Sequence, residues 1–562
     1  MQLKKIVLAC AAALALPMAA HAVAPANGYD TGLTNIPGTP ASTTGPAMLV
    51  QLSGATAPDN FLVTIMSGLL KPGFYQYTAG NGYRLFLGET LATAPAGTVG
   101  FPVNQKILFV KRSKGGSVFG VNPVGETSAA LQRLETMILT PTRCPTVATA
   151  GGPAVACNID PNSPSTSAIV GVDPGLGTPT GQEDIPDFGV SDVAPFMFKE
   201  PFNVEFGQLQ LANTNNLTIR GVNTLMMGIS TTAAVPDTLT LTKADYHAML
   251  TASISDWRQL GLTVPATDTK TNVVVCRRVP GSGTQTTYNW YFNQFPCTAN
   301  SLTSGVSGNS TPSRMTDSAG YGTSLIPGSD GSGSSTANRI LVDVAAGYTV
   351  VENSGSGDVR TCMRAANNRL QYDFQDEAGL FHRVNFNANP AGDSANSGYR
   401  AVAVLSLDSQ TNTSLTATNG GSESAWFFRA LNGNGRFYQN GQTCLVGATL
   451  SGPNAVPVGG TPATGTCPNR TNLRTGDYDF AAELTMQFQT TPANPRASLN
   501  TQRSGFIDAF ITRAGDPANQ VLWTLSLPNP PSIVPTGTNA VSFASRQGNQ
   551  CGPLIRSFPL PL

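Results

Sequence analysis

Three times along this chain a short apolar strand signal runs into a glycine turn and then into a helix start. Met48-Leu49-Val50-Gln51-Leu52 leads into Ser53-Gly54-Ala55-Thr56 and then Pro58-Asp59-Asn60-Phe61-Leu62. Lys106 to Lys111 leads into Ser113-Lys114-Gly115-Gly116-Ser117 and the helix-like stretch Glu126 to Ile138. Thr271 to Cys276 leads into Arg277-Arg278-Val279-Pro280-Gly281-Ser282-Gly283-Thr284 and the helix-like stretch Gln285 to Phe292. Strands that alternate with helices in this way predict an α/β fold, with chemistry gathered at the helix N-termini. No repeat period emerges, which argues against a solenoid or propeller.

The 562 residues allow two or three domains, or one large two-lobed fold. Charged residues make up 12% of the chain, and 33 basic residues balance 33 acidic ones. That balance argues against a nucleic-acid partner, which needs a basic footprint, and against a polybasic membrane-surface binder. Between the strand–turn–helix units, residues 145–182, 301–338 and 449–470 are dominated by Gly, Ser, Thr, Pro and Asn. They are expected to be surface loop insertions.

The first 22 residues have the layout of an export signal. Lys4 and Lys5 precede the apolar run Ile6 to Ala20, and Ala20-His21-Ala22 supplies the small-x-small cleavage pattern. A lipoprotein reading, with Val7-Leu8-Ala9-Cys10 as acylation site, competes with it. Residues 23–45 follow as a Gly-, Pro- and Thr-rich leader. No later segment has the roughly 18 apolar residues that a membrane span requires. The mature protein is expected in the periplasm, or secreted or at the cell surface. Its eight cysteines are expected to form disulfides, as an even count in an exported chain favours. Proximity prefers Cys144–Cys157, Cys276–Cys297 and Cys444–Cys467, leaving Cys362–Cys551, among many connectivities that remain open.

Much familiar chemistry is missing. After cleavage only His247 and His382 remain, in unrelated contexts, so a histidine triad or multi-histidine metal site is hard to build. There is no P-loop. The carboxylate pairs Glu183/Asp184 and Asp477/Asp479 sit in loop-like contexts that suit solvated structural roles better than acid–base work. What the chain does carry is a set of hydroxyl residues at predicted helix starts: Thr56, Ser117, Ser282 and Thr284, the last two flanking Gly283. A helix N-terminus presents unpaired N–H groups and the positive end of the macrodipole, and both favour an oxyanion. Taken singly, each is also an ordinary cap. Two further features stand with them. Asp187-Phe188-Gly189-Val190-Ser191-Asp192 ends a strand with a Ser-Asp step, and Arg278 lies four residues before Ser282.

In this combination the chain resembles the periplasmic phosphate-binding proteins that serve phosphate ABC importers, members of the type 2 periplasmic-binding-protein fold. The similar elements occur in the family's order: SGAT (53–56), GS (116–117), DFGVSD (187–192), ISDWRQLG (254–261) and RRVPGSGT (277–284). NSGSGDV (353–359), YRAVAVLSL (399–407) and GDYDFAAELTMQF (476–488) resemble its second glycine loop, hinge strand and closing strand. The resemblance spans nearly the whole mature chain and implies an α/β, two-lobed fold with loop insertions. The first lobe would take 46–225 and 409–562, and the second 226–408.

It further implies a phosphate-like anion held by Thr56, Ser117, Asp192, Arg278, Ser282, Gly283 and Thr284, with Ser113 the near alternative to Ser117. Arg278 would supply a charge-assisted contact, and Asp192 would accept a hydrogen bond from a protonated phosphate oxygen. A deprotonated sulfate cannot offer that proton, so the carboxylate discriminates between them. No catalytic residue, metal or cofactor is expected, and an ABC permease is the implied partner. Two departures stand out. Pro280 occupies the place where the family usually has an aspartate, and the insertions put docking on a standard permease in question. A secreted or surface structural protein that keeps the fold without tight anion binding is the alternative, and a phosphatase-like hydrolase is a third reading.

Overall fold

The computed structural model describes the chain chiefly over residues 48–126, 144–157, 183–204, 214–297, 339–409, 426–431, 479–489, 501–515 and 543–557, apart from single positions and short runs within them. A few short strands elsewhere are also described. The export signal, the leader, Cys444 and Cys467 lie outside the described residues.

Twelve strands form one mixed sheet. In chain order they are β1 (Met48–Gly54), β2 (Tyr75–Ala79), β3 (Tyr83–Glu89), β4 (Lys106–Arg112), β5 (Val155–Cys157) and β6 (Phe188–Ser191). There follow β7 (Leu217–Thr232), β8 (Val274–Arg278), β9 (Thr349–Asn353), β10 (Ala401–Ser406), β11 (Trp426–Phe428) and β12 (Ala481–Gln489). Their spatial order is β9-β8-β10-β7-β12-β6-β1-β4-β3-β2-β5, with β11 pairing on β7. The described α-helices include α1 (Leu62–Ser67), α2 (Lys243–Leu250), α3 (Gly283–Asn293), α4 (Ser356–Asn368) and α5 (Thr501–Gly515).

The chain is mixed α/β, and β7 is where the two halves of its large sheet meet. This strand is 16 residues long, well beyond the usual five or six or so. Residues Leu217–Met226 pair antiparallel with β12, while Met227–Thr231 pair antiparallel with β10. On one side β1 runs parallel to β4 and β6; on the other β8 runs parallel to β9 and β10. Parallel strands of this kind are covered on both faces and therefore read as apolar runs. The described burial agrees: β8 and β9 are buried at every position.

In the first half the core is aromatic. The Phe109 ring on β4 stacks on Phe510 of α5 at 5.1 Å, and Phe188 on β6 meets Phe510 edge-on at 5.4 Å. In the second half α4 lies against β8, pinned there by the Cys276–Cys362 disulfide with Cα atoms 6.1 Å apart.

Several expectations are corrected. Cys144–Cys157 forms as expected, but Cys276 bonds Cys362 and Cys297 bonds Cys551, in place of Cys276–Cys297 and Cys362–Cys551. Nearness in sequence misleads here because α3 stands between Cys276 and Cys297. Eleven helical residues carry the chain about 16 Å along the helix axis. Cys276, inside β8, instead faces the helix packed on its own strand. The helix expected over Glu126 to Ile138 is also corrected. The helical turn comes earlier, at Asn122–Gly125, with Pro123 in its first turn, where a missing N–H costs nothing. Glu126 is already extended, and Leu134–Glu135 pair as a strand with Glu183–Asp184. Tertiary pairing has overridden local helix propensity there. The expected loop segments contribute strands too: β5 extends the edge of the large sheet, and Thr449–Ser451 pairs with Val456–Val458.

Candidate anion-binding site

Three turns of the first half are brought together by close backbone contact. Gly54 ends β1 with φ +115°, and a Cβ there would lie 2.7 Å from Gly120 Cα. A Cβ on Gly189 would lie 2.8 Å from the same atom. Only glycine permits such an approach, and the positive φ at Gly54 adds a second reason. Ala55 N–H then donates to Val190 O at 2.9 Å, and Ser53 Oγ donates to Phe119 O at 2.7 Å. The turns after β1, β4 and β6 therefore start from one tight junction. Thr56, Ser117 and Asp192 lie just beyond it.

Ser117 opens the 3-10 turn Ser117–Gly120 and is fully buried. Its Oγ accepts a hydrogen bond from Asp192 N–H at 3.2 Å, so the second and third turns are joined. Asp192 follows β6 directly and is buried as well. Thr56 is half-buried and precedes the 3-10 turn Ala57–Asn60, with Asp59 N–H donating to its carbonyl at 3.0 Å.

The second half contributes the turn between β8 and α3. Ser282 is the N-cap of α3; its Oγ accepts weakly from Gln285 N–H at 3.5 Å. Gly283 and Thr284 form the first turn and are buried. This turn meets the first half directly. Val118 N–H donates to Gly281 O at 2.9 Å. A Cβ on Gly283 would lie 2.6 Å from Asp192 Cβ and would collide with Ser117 Oγ. A Cβ on Gly116 would lie 3.4 Å from Ser282 Cα and 3.5 Å from Arg278 Nη2. Ser117, Asp192, Arg278, Ser282 and Gly283 thus surround one small region where the halves meet. Thr284 follows in the same turn, and Thr56 stands at the edge of the first-half junction.

The double arginine resolves into two different environments. Strand alternation sends neighbouring side chains to opposite faces. Arg277 forms a buried ion pair with Glu352, its register partner on β9. Arg278 instead donates through Nη1 to Ser356 Oγ at 3.1 Å, at the start of α4. Ser356 was not singled out from the sequence as a site residue. Its signal was present in the glycine loop NSGSGDV, another turn between a strand and a helix. Ser113, the alternative to Ser117, is engaged elsewhere: its Oγ donates to the Asp59 carboxylate at 2.6 Å and 2.8 Å.

The two histidines and Asp479 stay outside this region, and Asp477 lies outside the described residues. His382 is buried and stacks on Phe374 at 4.8 Å, while Asp479 accepts a hydrogen bond from Tyr291 OH at 2.5 Å. Among the described residues no group of three or more His, Cys, Asp and Glu side chains could hold a metal ion. No described helix is long and apolar enough to cross a membrane.

No protein-family model matches the chain, and no curated protein matches it. Solved structures do show a likeness, and it is a distant one. A phosphate-binding protein from Stenotrophomonas maltophilia aligns at 13% identity and TM-score 0.30, over 86% of this chain and 100% of that one. An ABC-type phosphate transport receptor from Vibrio cholerae aligns at 10% identity and TM-score 0.26, over 60% of this chain and 79% of that one. A human phosphate-binding apolipoprotein aligns at 14% identity and TM-score 0.30, over 63% and 79% of the respective chains.

Proposed function

We propose that this chain is an exported solute-binding protein that holds phosphate or a related oxyanion between its two lobes. The observation that carries this reading is the meeting of Ser117 and Asp192 from one half with Arg278, Ser282 and Gly283 from the other. Hydroxyls, backbone N–H groups at the start of α3 and one guanidinium are a donor set suited to a small oxyanion. Thr56 and Thr284 complete the set, and Asp192 supplies an acceptor for a protonated anion oxygen. In this reading the first lobe comprises 46–225 and most of 409–562. The second comprises 226–408 together with β11, which pairs on the second-half end of β7. Hinge motion through β7 and β10 would open and close the cleft. The protein would work in the periplasm or at the cell surface and deliver its anion to a permease.

Substitution at the two charged positions tests the assignment. Arg278→Ala and Asp192→Asn are each expected to weaken phosphate binding at least about tenfold, the loss that a charge-assisted contact implies. Calorimetric titration of purified variants measures this. Affinities equal to wild type for both would remove the site assignment.

One observation favours a second reading, a surface structural protein that keeps the fold without tight binding. The halves touch each other directly through the Val118–Gly281 backbone hydrogen bond and the packing of Gly283 on Ser117 and Asp192. Contacts of this kind can hold the two halves together by themselves. Wild-type protein that gives no heat with any oxyanion supports this second reading.

A further inference from the structure

Lys111, near the end of β4, has no exposed surface. Lysine is almost never fully buried unless its charge is matched. Here Nζ donates to Gly54 O at 3.0 Å, Ala55 O at 2.9 Å, Arg112 O at 3.1 Å and Ser113 Oγ at 2.8 Å. Asp59 Oδ1 lies 3.6 Å away. Two of these acceptors are the carbonyls immediately before Thr56, at the junction that places the first-half turns. A carbon side chain would fill the space, yet it would leave those carbonyls without their donor.

We propose that Lys111 is a positioning residue of the anion site, holding the Gly54–Thr56 turn by its carbonyls and keeping a buried positive charge behind it for a bound oxyanion. This rests on the anion-binding reading above. The ligand class is a small tetrahedral oxyanion, with inorganic phosphate as the probe.

The charge gives the proposal a readout that packing alone would not move. Burial pushes the ammonium down to about 8, against the pull of Asp59 and Asp192, which raise it. The charges acting on it are Asp59 from the Ala57–Asn60 turn, Asp192 after β6 and Arg112, the next residue on β4; Arg84 is its register partner on β3. The neighbour on β1 is the apolar Leu52. Lys111 changes its charge between about pH 7 and about pH 10. The consequences for binding and folding have opposite signs. Loss of the proton weakens anion binding as pH rises through about 8. Between there and the ordinary lysine value of 10.5 the unfolded chain holds the extra proton, so this group's contribution to stability rises with pH.

The test is calorimetric phosphate affinity from about pH 7 to about pH 10 for wild type and Lys111→Met, with thermal midpoints measured in parallel. Wild-type affinity is expected to fall about tenfold across this range. Lys111→Met is expected to bind about tenfold more weakly than wild type at pH 7, with a profile that is flat above about pH 8. Phosphate ionisation is common to both proteins and cancels in the comparison. Lys111→Met with wild-type affinity and a wild-type pH profile would overturn the proposal. Should that variant fail to fold, a wild-type affinity that stays level from about pH 8 to about pH 10 overturns it equally. Absence of phosphate binding by wild type at any pH is a separate result, which removes the anion-binding reading and this proposal with it.

Discussion

Gly283→Ala is expected to weaken phosphate binding about 30- to 150-fold while leaving the protein at least as resistant to heat. The methyl group would need space now held by Ser117 Oγ and by Asp192 Cβ, 2.6 Å away. Both belong to the opposite half of the sheet, so in the proposed two-lobed reading the conflict would be relieved by holding the lobes apart rather than by local adjustment. Forcing extra carbon into packed space costs about 1–3 kcal/mol, and the upper part of that range corresponds to the loss stated. Against this, alanine is a better helix former than glycine, and Gly283 lies in the first turn of α3. In the proposed hinge motion the closed state would bear the steric cost, whereas the helix gain would be present in both open and closed states. Calorimetry and thermal unfolding of the same preparation separate the two. An unchanged affinity would show that Gly283 does not sit between the lobes when the anion is bound.

Phe510→Ala is expected to destabilise the fold by about 3–5 kcal/mol, the range for truncating a buried aromatic residue. Phe510 has no exposed surface and joins α5 to β4 and β6 through Phe109 and Phe188. Its removal takes away the transfer energy of a large side chain and leaves a cavity between sheet and helix. Aromatic pairing contributes about 0.5–1.5 kcal/mol beyond area for each partner lost. Whole-protein stabilities are only about 5–15 kcal/mol, so a large part of the margin would go. Urea unfolding of wild type and variant measures the difference as a fall in midpoint. A loss of less than about 1 kcal/mol would mean that the surrounding rings close the cavity almost completely.

The strand–turn–helix units were legible because they combine three local signals: an apolar run, a glycine and a helix start. Apolar runs mark β1 and β4, and the start of α3 follows the Gly-Ser-Gly-Thr turn as expected. β8 was harder to bound. It begins at Val274, two residues after Asn272 bridges Asp256, and it continues through Arg277 and Arg278. A charge inside a strand is invisible to hydrophobic periodicity; it is admitted here because Glu352 lies beside Arg277 across the ladder.

Contacts far apart in sequence left no such signal. The Cys297–Cys551 bond spans 254 positions. The hydrogen bond from Arg278 to Ser356 joins two turns separated by 78 residues, each of which looks complete by itself. Lys111 is one polar letter at the end of an apolar strand, and the carbonyls that use its charge belong to a turn more than fifty residues earlier. The low, balanced net charge is compatible with an anion site of this kind. Hydroxyls, helix N–H groups and single buried cations can hold an oxyanion without a basic surface.

The most direct measurement is a calorimetric titration of the purified wild-type protein with phosphate, beside an identical titration with sulfate. Saturable heat with phosphate and none, or far weaker binding, with sulfate is the predicted result, because in the proposed site Asp192 accepts a hydrogen bond from a protonated phosphate oxygen, which sulfate lacks. No heat and no thermal shift with phosphate, sulfate or arsenate would contradict the account.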